Sequence, residues 1–184
     1  MQFSAFLLAG ALVAGLGYPA KADQTDPKLD RLFATLKGVE PGDAASLIEA
    51  EIWQTWGQSH DAAVDQAMAD GASRLSSGDF AAALAVFDRI VAQAPKFAEG
   101  WNKLATTLHF LGRFDDSKRD IDHVLALEPR HFGALSGLSM CETRLNHTGE
   151  ALQALQRAQA VDPNLPGISN NIQQLKTKLE RESI

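Results

Sequence analysis

The apolar positions between residues 64 and 163 recur with a period of 34 residues. When the chain is counted from Val64, Ala98 and Phe132, the twenty-fourth and twenty-seventh residues of every unit are apolar. Positions three residues apart lie on one face of an α-helix, so each unit is predicted to bury one side of a helix. The residues at these positions are Phe87, Ile90, Ile121, Val124, Leu155 and Ala158.

The same period governs the residues that end the helices and bring them together. Three prolines spaced 34 residues apart end the second helix of each unit, because proline cannot donate the helical hydrogen bond and clashes with the preceding turn. The twentieth residue of each unit is small, which indicates that its two helices approach most closely there. These residues are Pro95, Pro129 and Pro163, and Ala83, Ser117 and Ala151.

A left-handed turn is predicted between the two helices of each unit. Gly78 and Gly112 provide it in the first two units, because glycine adopts a positive φ without a steric penalty. The third unit has Asn146 at this point. Asparagine tolerates the left-handed conformation best after glycine, so the turn is predicted to persist.

This combined pattern resembles the tetratricopeptide repeat family, whose unit is a helix-turn-helix of 34 residues. The resemblance covers about 100 residues and divides them into repeats at 64–97, 98–131 and 132–165. It implies an all-α fold, a right-handed α-solenoid in which the repeats stack in chain order.

Two further segments flank the predicted repeats. Apolar residues at helical spacing predict a pair of helices within residues 23–60, which we interpret as a degenerate extra repeat stacked on the first true one. Beyond Pro163 a narrow apolar stripe lies on an otherwise polar helix. A repeat array needs a last helix with a polar outer face, so residues 166–184 are predicted to cap it.

The first 22 residues have the layout of a secretory signal peptide. An apolar run from Phe3 to Leu16 is followed by the small-x-small triplet Ala20-Lys21-Ala22, which is typical of a cleavage site. Cleavage would place the protein in the periplasm. The alternative is a retained anchor, because Phe3 to Ala20 approaches the shortest spanning length of about 17–18 residues. The protein would then be a membrane-anchored envelope assembly factor or chaperone.

Composition narrows the range of partners. The chain has 184 residues with 17 basic and 23 acidic side chains, a net charge of −6, and no basic stripe. Such a chain is not expected to bind nucleic acid, or a membrane surface once the leader is removed. The single cysteine rules out an intrachain disulfide and is consistent with export to a bacterial periplasm. The polar final helix favours a monomer.

The sequence contains no catalytic motif that we could place in a supporting context. It has no phosphate-binding glycine loop and no nucleophile elbow. No two of the five histidines have the four-residue spacing that presents two ligands to one metal. We therefore expect solvated or locally hydrogen-bonded histidines, and no enzyme activity, metal or cofactor. The alternative is a redox or metal protein that uses Cys141 or the histidines.

The resemblance assigns a binding surface to the first helix of each repeat. Its groove positions map onto Glu99, Asn102, Lys103, Thr106, His109, Phe110, Met140, Thr143 and Arg144. The family's two-carboxylate clamp is not supported, since Met68, Ala72 and Gly137 occupy three of its positions. The expected function is that of a non-catalytic adaptor or scaffold that binds an unidentified protein or peptide in the cell envelope. The alternative for these residues is that they are ordinary exposed helix positions.

Overall fold

The computed structural model describes residues 23–183. The predicted signal peptide or anchor, residues 1–22, lies outside the described residues. A short 3-10 turn at Asp23–Thr25 precedes the α-helices. These are α1 (Pro27–Leu36), α2 (Asp43–Trp56), α3 (Ala62–Ser76), α4 (Phe80–Gln93), α5 (Ala98–Phe110), α6 (Phe114–Leu127), α7 (Phe132–Arg144), α8 (Thr148–Val161) and α9 (Ile168–Glu182). Within this part of the chain there is no β-strand, so the prediction of an all-α fold is confirmed.

Helices α3 to α8 form three helical hairpins that stack in chain order. Each helix from α3 to α8 packs against the next one along the chain. The turns inside the hairpins have the predicted left-handed conformation, with φ of 82° at Gly78, 74° at Gly112 and 62° at Asn146. Asparagine in the third turn therefore does what glycine does in the other two.

The small positions are required by close packing between helices. Gly71 in α3 faces the buried ring of Phe87 in α4. A Cβ atom at Gly71 would lie 2.6 Å from that ring, closer than real side-chain contacts allow. At the corresponding contact of the second hairpin, Ser117 donates a hydrogen bond of 2.7 Å to the carbonyl oxygen of Ala105. In both hairpins the two helices therefore approach each other closely at a small residue.

Helix α9 covers the end of the third hairpin. Its residues Ile168, Ile172 and Leu175 are buried in an apolar cluster with Leu135 and Leu155. A hydrogen bond of 3.0 Å from the hydroxyl of Thr148 to Glu182 fastens the far end of the helix. The apolar stripe seen in the sequence is therefore the face that α9 buries.

Helices α1 and α2 do pair with each other, but they do not stack on the first repeat as predicted. We call the segment from residue 24 to residue 56 the N-terminal arm. Its apolar cluster includes Phe132 at the start of α7, with Val161 and Leu165 at its border. The reason is the aromatic face of α2. The exposed and polar positions of α3 offer it little apolar surface, whereas Trp53 fits directly over Gly133, where a Cβ would be 2.4 Å from the indole.

Candidate functional site

An open cleft of about 610 Å³ lies between α7 and α9 on the inner side of the repeats. Its apolar surface comes from Leu155 in α8, from Ile168 and Leu175 in α9 and from Leu165 before α9. Met140 borders the cleft and is 53% exposed. A large exposed apolar side chain beside an apolar cleft is characteristic of a surface that binds a ligand or another protein.

The polar rim of this cleft carries basic and amide groups. His109, Arg144 and Lys178 border it together with Asn171 and Gln174, and no aspartate or glutamate of the described chain does so. The Arg144 guanidinium lies 5.2 Å from the centre of the Phe114 ring. Lys178 is 3.6 Å from Glu182 at the outer end of α9. The rim is therefore suited to an anionic group.

His109 adds a neutral polar group at neutral pH. Its burial, and next the charge of Arg144, lower the pKa of its imidazole. The imidazole of an unperturbed histidine is already mostly uncharged at pH 7, and this shift makes it more so. The positive charge of the rim therefore comes from Arg144 and Lys178.

The groove continues from this cleft across α5 to α3. A small depression of about 90 Å³ between α5 and α7 shares His109 and Met140 with the larger cleft. A third cleft of about 510 Å³ includes Leu75, Phe80 and Phe110. Phe110 borders both of these and is 56% exposed, with its ring stacked on Phe80 at 5.1 Å. Apolar surface is thus available at both ends of the groove.

Most of the residues predicted for the groove border these clefts. They are Lys103, Thr106, His109, Phe110, Met140, Thr143 and Arg144. Asn102 also reaches the small depression, but it is only 8% exposed. Glu99 is 4% exposed and borders none of the three clefts, so a ligand in the groove does not reach it in this structure.

Glu99 is instead the acceptor of a buried hydrogen-bond network. Its carboxylate accepts from Asn102 Nδ2 at 2.9 Å, from His131 Nε2 at 3.1 Å, and pairs with Lys103 Nζ at 2.9 Å. Burial opposes the charge of Glu99, but the His131 hydrogen bond and the Lys103 charge outweigh it and lower the pKa of the carboxyl. The network therefore holds a buried carboxylate in its ionised form.

The role of His131 in this network follows from its other ring nitrogen. Nδ1 accepts a hydrogen bond of 3.1 Å from the backbone N–H of Ala134, which makes His131 the N-cap of α7. An accepting Nδ1 is unprotonated, so we assign the neutral tautomer whose proton on Nε2 points at Glu99. Sequence reasoning placed this histidine among the locally bonded ones. Its position immediately before a repeat's first helix was the signal for a cap.

Sequence reasoning missed the contribution of α9 to the groove. Asn171, Gln174 and Lys178 were assigned only to a capping helix. If the repeat frame is continued from Pro166, these residues take the sixth, ninth and thirteenth positions, which face the groove in the preceding repeats. Helix α9 therefore acts as the first helix of an incomplete fourth unit.

Cys141 is fully buried between the second and third hairpins. Its Sγ lies 3.3 Å from Ser117 Oγ and 3.4 Å from His109 Nδ1. Burial raises the pKa of the thiol, which disfavours the reactive thiolate. Over residues 23–183, no group of three or more potential ligands could hold a metal ion. The burial of the thiol does not support the redox alternative for Cys141.

None of the helices between residues 23 and 183 has the length and hydrophobicity that a membrane span needs. The candidate anchor of the sequence analysis lies outside this range.

Comparison with known proteins shows the family. The tetratricopeptide repeat profile matches residues 68–109 and 102–166. A TPR repeat-containing protein of Rhizobium etli is 34% identical over 152 residues, which cover 83% of this chain and 74% of the relative. The chain belongs to the tetratricopeptide repeat family, and the resemblance drawn from its sequence is confirmed.

Solved structures with the same fold include proteins bound to peptides or proteins. The TPR2B domain of yeast Sti1, in complex with pHsp70, has a TM-score of 0.58 at 21% identity and covers 65% of this chain and 97% of its own. The Yersinia enterocolitica type III secretion chaperone SycD, in complex with a peptide of the translocator YopD, has a TM-score of 0.60 at 16% identity, covering 63% and 94%. At these identities the likeness shows a shared TPR solenoid fold.

Proposed function

We propose that the protein is a non-catalytic adaptor of the cell envelope that binds an extended segment of another protein in the groove formed by α3, α5, α7 and α9. The single observation that carries this proposal is the cleft between α7 and α9. It combines an apolar floor, an exposed Met140 and a rim without acidic side chains among the described residues. The peptide and protein complexes of fold relatives such as SycD and Sti1 support the same use of the groove.

The chemistry of the groove specifies the ligand class. Its two apolar ends, at Met140 and at Phe110, fit large apolar side chains. At one end Arg144 and Lys178 favour acidic residues beside them, whereas Lys103 at the other end is paired with Glu99. The protein itself carries net negative charge, so this local excess of basic groups is a specific feature of the groove.

The amide side chains of α9 favour an extended ligand. Asn171 and Gln174 lie three residues apart on one face of the helix, and both are exposed at the cleft. Each amide can donate and accept, which matches the N–H and C=O groups of an extended backbone. A helical ligand satisfies these backbone groups internally and would leave the amides unused.

Selection of random displayed peptides on the purified protein tests this function. We expect the selected peptides to combine a large apolar residue with acidic neighbours. Their affinity is expected to fall by about tenfold or more in Met140→Asp, because the new carboxylate repels acidic residues and removes the apolar contact.

Leu47→Asp is the matched control for this experiment. Leu47 is 72% exposed on α2, outside the groove, so the same substitution there is expected to leave affinity unchanged. Equal binding by Met140→Asp and the wild type, or a failure to enrich any peptide, would argue against the groove as the binding site.

The envelope location rests on the first 22 residues and has its own test. We expect mass spectrometry of the protein from its native host to find an amino terminus near Asp23, because Ala20-Lys21-Ala22 has the pattern of a cleavage site. An intact leader in the membrane fraction would favour the anchored assembly factor instead.

A further inference from the structure

The N-terminal arm occupies one edge of the binding surface. Trp56 stacks on His131 with the ring centres 4.2 Å apart, and Trp53 lies edge-on to Phe132 at 5.3 Å. Trp53 also covers Gly133, which takes the second position of the third repeat. This position faces the groove in the repeat frame, as does Glu99 in the second repeat. The arm therefore covers surface that belongs to the groove at the amino-terminal ends of α5 and α7.

The contact between the arm and the repeats contains unsatisfied polar groups. Among the described residues, three buried side-chain atoms have no hydrogen-bond partner: Gln24 Oε1, Trp56 Nε1 and Asp162 Oδ2. Gln24 and Trp56 belong to the arm, and Asp162 is adjacent to Val161, which packs against the arm. Each such atom loses its hydrogen bonds to water without a replacement. The docking contact is thus weakened in a way that the contacts between the repeats are not.

The charges of two carboxyl groups oppose each other at the same contact. Asp162 at the end of α8 is fully buried, and its Oδ1 accepts a hydrogen bond of 2.9 Å from Asn164 N–H. Burial raises the pKa of Asp162. On the arm, burial and next the charge of Asp162 raise the pKa of Glu49.

Other charges at this contact are paired. Arg130 bridges Asp30 of the arm, at 2.6 Å, and Glu128 of the repeats, at 3.0 Å. Lys28 pairs with Glu51 within the arm at 2.8 Å. Asp162 and Glu49 are therefore the carboxyl groups that oppose docking when ionised.

We infer that the arm is a displaceable cover of the groove, which undocks as one unit while the three repeats and α9 stay folded. Its release uncovers the surface at His131 and Gly133 and lengthens the groove toward Glu99. The arm is connected to α3 only through the five residues 57–61 between the two helices, so it can leave without disturbing the stack. The undocking itself does not depend on the proposed function; its effect on a ligand does.

The pH dependence of docking has a definite sign. A carboxyl whose pKa is higher in the docked state stabilises docking while it is protonated, below its ordinary pKa. This contribution is lost as the pH rises through the raised pKa. The arm is therefore expected to dock more firmly near and below the ordinary carboxyl pKa than at higher pH.

Amide hydrogen exchange of Gly133→Ala, which we call the wedge variant, tests whether the arm undocks from the repeats. In Gly133→Ala the added methyl group collides with Trp53, whereas Gly149→Ala is a control with open space around the new Cβ. We expect the protection factors of α1 and α2 to fall by about tenfold or more in Gly133→Ala, with those of α5 to α8 unchanged. Equal loss in both regions, or no loss in the arm, would overturn the inference.

Asp162→Asn supplies a test in the opposite direction. The asparagine can still accept from Asn164 but has no charge to repel Glu49, so the arm is expected to be better protected than in the wild type. Protection factors, corrected for intrinsic exchange, are compared over a pH series that starts near the ordinary carboxyl pKa of about 4 and extends to alkaline pH. The wild-type arm should lose protection at the higher pH and the variant should lose less. An identical pH response in both proteins would contradict the assigned role of Asp162.

The effect on ligand binding separates this inference from the proposed function. If both hold, peptides selected on the wild type bind Gly133→Ala at least as tightly, and new selections on the variant give longer motifs. If the arm exchanges as expected but no peptide binds either protein, the cover stands and the proposed function fails. If peptides bind but the arm is unaffected by the wedge, the function stands and the cover fails.

Discussion

Replacement of His131 by alanine is expected to lower the free energy of unfolding by about 4 kcal/mol, a large fraction of the stability of a typical domain. The imidazole is fully buried and lies edge-on to Trp53 at 5.4 Å, besides three further contacts. It caps α7 through Ala134 N–H, donates to Glu99 and stacks on Trp56. The substitution removes all of these at once.

The contributions to this loss differ in kind. Loss of a helix cap costs about 1 kcal/mol, and removal of one hydrogen bond from the buried Glu99 carboxylate adds about 1–3 kcal/mol. The remainder comes from the cavity beneath Trp56, which the surrounding side chains fill only in part. Because these contacts share one ring, their individual costs do not add in full. The expected loss of about 4 kcal/mol is therefore smaller than the largest possible sum.

Urea denaturation of the purified protein, followed by circular dichroism, measures this change. His123→Ala is the matched control, because His123 is exposed and stacks on Trp101 at the surface, with ring centres 4.3 Å apart. Its replacement is expected to cost no more than about 0.5 kcal/mol. A similar change for the two histidines would show that the Glu99 network contributes little to stability.

The repeats were predictable because their determinants are local and periodic. The buried positions of Phe87, Ile121 and Leu155 each follow from the place of the residue within its own repeat. A turn at Gly78 or Asn146 depends only on the φ of that one residue. Because the same pattern recurs in three units, it can be distinguished from a chance match. The sequence could therefore specify the hairpins, their order and the apolar face of α9.

The arm was mispredicted because its packing depends on contacts between distant parts of the chain. Trp53 needs the space above Gly133, 80 residues further along the sequence, and Asn164 bonds to the carbonyl oxygen of Leu36 across a separation of 128 residues. Nothing in the periodic pattern encodes such pairs. The buried network of Glu99 could not be foreseen for the same reason, since its partner His131 is stacked against Trp56 of the arm.

The groove was predictable in part for a related reason. Repeat positions indicate which way a side chain points, and this was sufficient for Phe110, Met140 and Arg144. They do not indicate which of these side chains the rest of the chain covers. The frame also stopped at the third repeat in the prediction, so Gln174 and Lys178 were assigned to the cap although the structure places them at the cleft.

Two phenylalanines, one in the scaffold and one in the groove, are expected to separate stability from binding. Phe87→Ala removes a fully buried ring from the interior of the first hairpin and should cost about 3–5 kcal/mol. Gly71, which the ring contacts, has no side chain that could move into the space, and this favours the upper part of the range. Phe110→Ala removes a ring that is 56% exposed and should cost less than about 1 kcal/mol.

The effects on binding are expected in the reverse order. Phe110→Ala takes away the apolar platform that it forms with Phe80, so the affinity for selected peptides should fall by about tenfold. Phe87 does not border the groove clefts, and the folded fraction of Phe87→Ala should bind as the wild type does. Thermal unfolding and fluorescence titration on the same samples measure both quantities. If Phe110→Ala lost stability as Phe87→Ala does, or kept its full affinity, Phe110 would belong to the scaffold and the ligand would have to lie elsewhere on the repeats.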